Sequence, residues 1–166
     1  CFNADLELQF SFDGTEAACG SLKEPHWIIA DTRRAKTEIY IADRSNHRLV
    51  VYSPEGKFLR VVEGGLLTPS GFSIFDDKLV VVELKGRLHI LDTEDNIIET
   101  LADGSSYSNL PGWPNRIENG KTVCPHSDIA EGKFNSPHGV VADKFGNIYV
   151  HEWLQGIRIT KLKKVG

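Results

Sequence analysis

Apolar residues in this chain come in runs of about five, either alternating with polar residues or β-branched end to end, and Gly, Asp, Asn or Pro interrupts them roughly every six to ten positions. Helical spacing of three and four is absent, so the pattern predicts strands throughout. A first group is expected at Trp27 to Asp31, Glu38 to Asp43, Arg48 to Ser53 and Phe58 to Glu63, with "SPEG" turning the chain before the last. A second follows at Gly71 to Phe75, Lys78 to Glu83, Arg87 to Asp92 and Ile97 to Leu101, with "DDK" and "TEDN" at its turns. The third supplies three strands, Gly139 to Asp143, Asn147 to Glu152 and Ile157 to Leu162.

These groups are copies of one unit. Aligned on the proline before each first strand, they begin "PHWIIAD" at Pro25, "PSGFSIF" at Pro69 and "PHGVVAD" at Pro137, at spacings of 44 and 68 residues. The longer spacing carries an insertion, 102–133, rich in Gly, Pro, Ser and Asn and without periodicity, as expected of a long surface loop. Four-stranded units of about 40 residues are the signature of propeller blades, so the predicted fold is an all-β propeller unit over 1–166. Its parts are blade 1 at 25–64, blade 2 at 69–101 and blade 3 at 137–163.

Blade 3 is one strand short, and Leu6 to Phe12 is an orphan strand that alternates and ends on Asp-Gly. Three blades cannot close a ring, because the end blades would expose apolar faces and unpaired edges. Two copies related by a two-fold would give six blades, the strand at 6–12 of each completing blade 3 of its partner. That homodimer would bury on the order of 2,000 Å² or more. The competing expectation is that the chain belongs to a longer one that supplies the other blades itself.

Composition narrows the functional classes. The chain is 40% hydrophobic and 25% charged, with a formal charge of −4 spread along it. That balance makes nucleic acid an unexpected partner. No apolar run approaches the roughly 18 residues that span a bilayer. Cys1, Cys19 and Cys124 allow one disulfide and do not fix the redox compartment. The chain starts at Cys1 and holds no Met, which fits a processed, trimmed or cloned piece, and Cys1 itself reads as a truncation boundary or as a lipoprotein cysteine after signal cleavage. Secreted, periplasmic and cytoplasmic locations all stay open. A phosphate-binding loop, a Gly-x-Ser-x-Gly elbow and an HExxH motif are missing from the sequence.

The stretch "EPHWIIADTRRAKTEIYIADRSNHRLVVYSPEGKFLRVVEG" resembles a repeat of the NHL family of β-propellers, with its Ala-Asp, the Asn-x-Arg of "SNHR" and a Gly-Lys-Phe before the outer strand. "SPHGVVADKFGNIYVHEWLQGIRITKL" resembles a second repeat lacking its last strand. Within that group, the Pro-His placement is similar to the peptidyl-hydroxyglycine amidating lyases, six-bladed propellers with a histidine-bound zinc in the central channel. The resemblance implies that His26 and His138 occupy ligand positions, whereas Ser70 stands where the middle unit would need a histidine.

Candidate chemistry centres on the channel mouth. His26 and His138 precede inner strands, and in a dimeric ring each would appear twice, offering nitrogen ligands to a divalent metal such as zinc. His126, in "CPH" of the insertion, is a weaker candidate ligand. The competing reading is that Pro-His sets the start of the strand and its imidazole bonds a neighbouring loop. Asp43, Glu83 and Glu152 are each followed by an arginine, Arg48, Arg87 and Arg158, and such pairs read first as structural ion pairs. A ligand-facing role at the mouth is the alternative, with Arg48, Glu152 and Trp153 as candidates. His151 and Glu152 are adjacent in a strand and should face opposite sides. Trp113 in "PGWPN" reads as a loop anchor or a lid. The function expected first is a binding module for a small molecule, carbohydrate or peptide. A metal-dependent lyase or hydrolase and an inert protein-interaction platform are the alternatives.

Overall fold

The structure, a computed structural model, describes residues 1–15, 18–123 and 128–165. Among them there is no α-helix, and the strands form four antiparallel sheets. The first sheet runs β1 (Pro25–Asp31), β2 (Glu38–Asp43), β3 (Arg48–Tyr52) and β4 (Phe58–Val62) in sequential order. The second repeats the order with β5 (Pro69–Phe75), β6 (Lys78–Glu83), β7 (Arg87–Leu91) and β8 (Ile97–Leu101).

The insertion is more ordered than its sequence suggested. It carries a 3-10 turn at Ser105–Asn109 and a two-stranded hairpin, β9 (Arg116–Glu118) with β10 (Lys121–Val123). The third sheet has three strands, β11 (Pro137–Ala142), β12 (Ile148–Glu152) and β13 (Arg158–Leu162).

Turn chemistry explains the even spacing. Asp92 Oδ1 accepts the backbone N–H groups of Glu94 and Asn96 at 3.0 and 2.8 Å, and Asp143 Oδ1 accepts those of Phe145 and Asn147, both at 2.9 Å. Side chains that mimic the turn's own hydrogen bonds fix where each hairpin reverses. The three innermost strands share a further detail, a shift of register just after the leading proline, between Pro25 and Ile28, Pro69 and Gly71, and Pro137 and Gly139.

The sheets stack face to face, with β5 between β1 and β11. One core layer, built on Tyr40, Leu49, Val51, Phe72, Leu79 and Val81, joins the first sheet to the second. Another, with Val80, Val82, Leu88, Phe134, Ile148 and Val150, joins the second to the third. Successive residues of a strand serve opposite layers, which is why the central strands are apolar on both faces rather than alternating with polar residues.

Residues 6–12 form no strand in the single chain. Phe2 and Leu8 make an isolated bridge, the Cys1 ammonium donates to Phe10 O at 2.7 Å, and Leu6 and Leu8 stay exposed. An edge is what a strand needs, and the unpaired edge of β13 lies at the far end of the stack. Instead, Phe12, Leu22 and Cys19 cover Ile41, Val50 and Tyr52 on the outer face of the first sheet, with Phe12 and Tyr52 rings 4.5 Å apart. The outer face of the third sheet has no such cover among the described residues, and Val141, Ile157 and Ile159 are exposed there. Cys1 and Cys19 are free thiols, while Cys124 lies outside the described residues.

Candidate functional site

Each of the three larger sheets begins with the same buried clamp. The acid that ends the second strand is paired across the sheet with the leading proline, as Asp43 with Pro25, Glu83 with Pro69 and Glu152 with Pro137. Proline has no N–H to give, so the carboxylate takes the N–H groups just before it. Asp43 Oδ1 accepts from Lys23 N at 2.6 Å, Glu83 Oε1 from Leu67 and Thr68 N, and Glu152 Oε1 from Asn135 N at 2.6 Å and Ser136 N at 3.1 Å. The other carboxylate oxygen holds the arginine of the next strand, Arg48, Arg87 or Arg158. Those guanidiniums in turn donate to carbonyls of the incoming loop, at Cys19, Gly65 and Lys133. Burial alone would raise the carboxyl of Glu83, but His89, the Leu67 N–H and Arg87 outweigh it and hold it below the usual range.

Two of the expected ligand contacts, Arg48 and Glu152, belong to this clamp. Both are buried, and their polar atoms are used in aiming the loop at the inner strand. Glu152 faces inward while its neighbour His151 is exposed, as strand alternation requires.

The histidines do converge. The rings of His26 and His138 stand edge to face with centroids 4.6 Å apart, although they come from the two outer members of the stack. The small residues of the middle sheet allow this. Ser70 fills the position where the other sheets have histidine, and a Cβ at Gly71 would lie 2.9 Å from His138 O. His26 Nδ1 is 2.9 Å from Ser70 O, and a carbonyl only accepts, so Nδ1 carries a proton and Nε2 is the nitrogen left for another partner. His138 is shifted below the ordinary histidine value, first by burial and then by His26, Arg44 and His151, which favours its neutral form at neutral pH.

Around this pair stand His151, its ring 6.5 Å from that of His138, and the exposed Trp153 at 6.1 Å. In the sequence His151 stands out only for its place beside Glu152. The strand register carries the signal, since His151 pairs with Gly139, the residue after His138. Beside His26 an open cleft of about 580 Å³ is lined by Pro25, Trp27, Ile28 and Ile41, with Phe12 and Leu22 of the N-terminal segment. No three or more His, Cys, Asp or Glu side chains form a metal-ligand group among the described residues. His126 lies outside them. What the site offers is two imidazoles in edge-to-face contact and an indole beside an apolar cleft, suited to hydrogen-bonding and stacking on a ligand.

No known protein-family profile matches the chain, and no curated protein sequence matches it either. Among solved structures it is similar to the selenomethionine-substituted virginiamycin B lyase from Staphylococcus aureus, with a TM-score of 0.50 and 13% sequence identity. The match covers 85% of this chain and 41% of that one, so the chain spans well under half the length of that structure. Together with the stacked antiparallel sheets, the likeness gives this chain an all-β fold of the propeller type.

Proposed function

We propose that this chain is an NHL-type propeller module that binds a small molecule, carbohydrate or peptide at the mouth of its channel, through His26, His138, His151 and Trp153. The observation that carries the reading is the meeting of His26 and His138 over Ser70 and Gly71, at a centroid distance of 4.6 Å. Two imidazoles brought together from separate repeats leave polar edges next to an apolar cleft, the composition of a ligand site. Arg48 and Glu152 serve it indirectly, by fixing the loops that precede the inner strands.

A metal-dependent lyase or hydrolase is the second reading, favoured by the protonated Nδ1 of His26. A backbone carbonyl on one ring nitrogen is the support that metal-bound histidines commonly have on the nitrogen opposite the metal. Zinc titration by calorimetry separates the two readings. A metal enzyme takes up zinc near stoichiometry, loses uptake in the His26→Ala, His138→Ala double variant, and loses it as pH falls below the ordinary histidine value of 6.5, because protons compete for the same nitrogens. A binding module takes up none, and no ligand captured through these histidines would leave the inert platform.

We also propose that a second copy completes the ring. Support comes from the exposed Val141, Ile157 and Ile159 on the outer face of the third sheet and from the unpaired edge of β13. Sedimentation at micromolar concentration should give a dimer. A monomer at that dilution would sink the twin, and would direct the search to further blades in a longer chain.

A further inference from the structure

Apart from the histidines, the insertion lines a partly open cavity of about 460 Å³, walled by Tyr107, Leu110, Trp113, Arg116, Ile117 and Ile129 among others. We propose that it is a second binding site, taking a small, uncharged, mostly apolar molecule that carries one hydrogen-bond acceptor. Its size lies in the range of ligand pockets, and its lining is apolar with few polar groups.

The cavity is built into the fold. Trp113 Nε1 donates to Asn135 O at 3.2 Å, and Asn135 Nδ2 donates to Pro114 O at 2.7 Å. Gln155 N donates to Asn115 Oδ1 at 2.7 Å, and Ala130 N to Tyr107 Oη at 2.9 Å. The first two bonds tie the walls to the buried Asn135 of the third sheet's clamp loop, the third ties them to the turn after β12 and the last braces the insertion on itself, so the walls are held before any ligand arrives.

Arg116 sets the ligand's chemistry. Its Nε is shielded from water and has no hydrogen-bond partner among the described residues, a costly state that an acceptor on the ligand would relieve once the partly exposed side chain turns toward it. The rest of the guanidinium is already matched, by Glu118 Oε1 at 2.8 Å and by Asp128. Two carboxylates on one guanidinium leave the group net negative, which disfavours an anionic ligand. A cation has no lone pair for Nε, and the apolar walls disfavour any unpaired charge.

Acetanilide, neutral and aromatic with one amide carbonyl, is the probe, with phenylacetate, benzylammonium and toluene for comparison. Proton–nitrogen NMR follows the Trp113 indole and the Arg116 Nε–H of the whole chain. Saturable millimolar shifts with acetanilide are expected, with about tenfold weaker binding by toluene and by the Arg116→Gln variant. Leu110→Trp, at an exposed position on the rim, should block the probe with Arg116 intact, while the His26→Ala, His138→Ala double variant should bind it as the original does. No saturable shift, equal binding of toluene, or tighter binding of phenylacetate or benzylammonium would overturn the proposal.

Discussion

Glu152→Ala is expected to destabilise the chain by roughly 3 kcal/mol, the low end of what breaking a buried ion pair costs. The carboxylate has no exposure, accepts the N–H groups of Asn135 and Ser136, and pairs with Arg158. Alanine leaves two buried donors unmet at the point where the insertion returns to the third sheet. Arg158 is partly exposed and recovers water, which keeps the loss from being larger. Urea unfolding should register a lower midpoint with an unchanged slope. Glu152→Gln keeps an acceptor for the two N–H groups and should fall between. Were Glu152 mainly a ligand contact, alanine would leave the midpoint within about 0.5 kcal/mol of its original value and weaken binding instead.

Gly104→Ala should cost about 3 kcal/mol or more, at or beyond the upper end of overpacking penalties. A Cβ there would sit 1.9 Å from Phe134 O, which is backbone and has no rotamer to yield. The site is the neck of the insertion, where Phe134 N donates to Ala102 O at 3.0 Å and Gly104 N to Gly86 O at 2.9 Å. Opening the neck also draws the buried Phe134 ring out of the layer between the second and third sheets. Gly139→Ala is the control, because its Cβ would meet nothing nearer than His151 Nδ1 at 3.7 Å, and its midpoint should barely move. Equal midpoints for the two variants would mean that the neck is not packed as described.

Strand positions were legible because each strand's pattern is local. The period of two, the β-branched runs and the Asp or Gly turns act within a few residues, and β2, β6 and β8 begin and end where the pattern puts them. The first strands were placed two residues late, since their opening Pro-His, Pro-Ser and Pro-His pairs lie on the far side of a bulge that periodicity cannot register. Acid and arginine spacing announced the ion pairs, but not that they grip the N–H groups ahead of each proline. Residues 6–12 read as a strand for the β13 edge of a second copy, and in the single chain that edge belongs to the third sheet while the N-terminal segment packs on the first.

The site divides in the same way. His26 and His138 stand out in sequence because the Pro-His unit repeats, and the repeat alone assigns them to equivalent places in the first and third units. Their approach to 4.6 Å is a property of the stack, arising because Ser70 and Gly71 leave room in the sheet between them. The sequence by itself determined the repeated unit, its strands and its turns, all of which follow from interactions between near neighbours. Only the tertiary structure decided which sheet face is covered, which carboxylates are clamps and which histidines meet, because those outcomes depend on contacts between residues far apart in the chain.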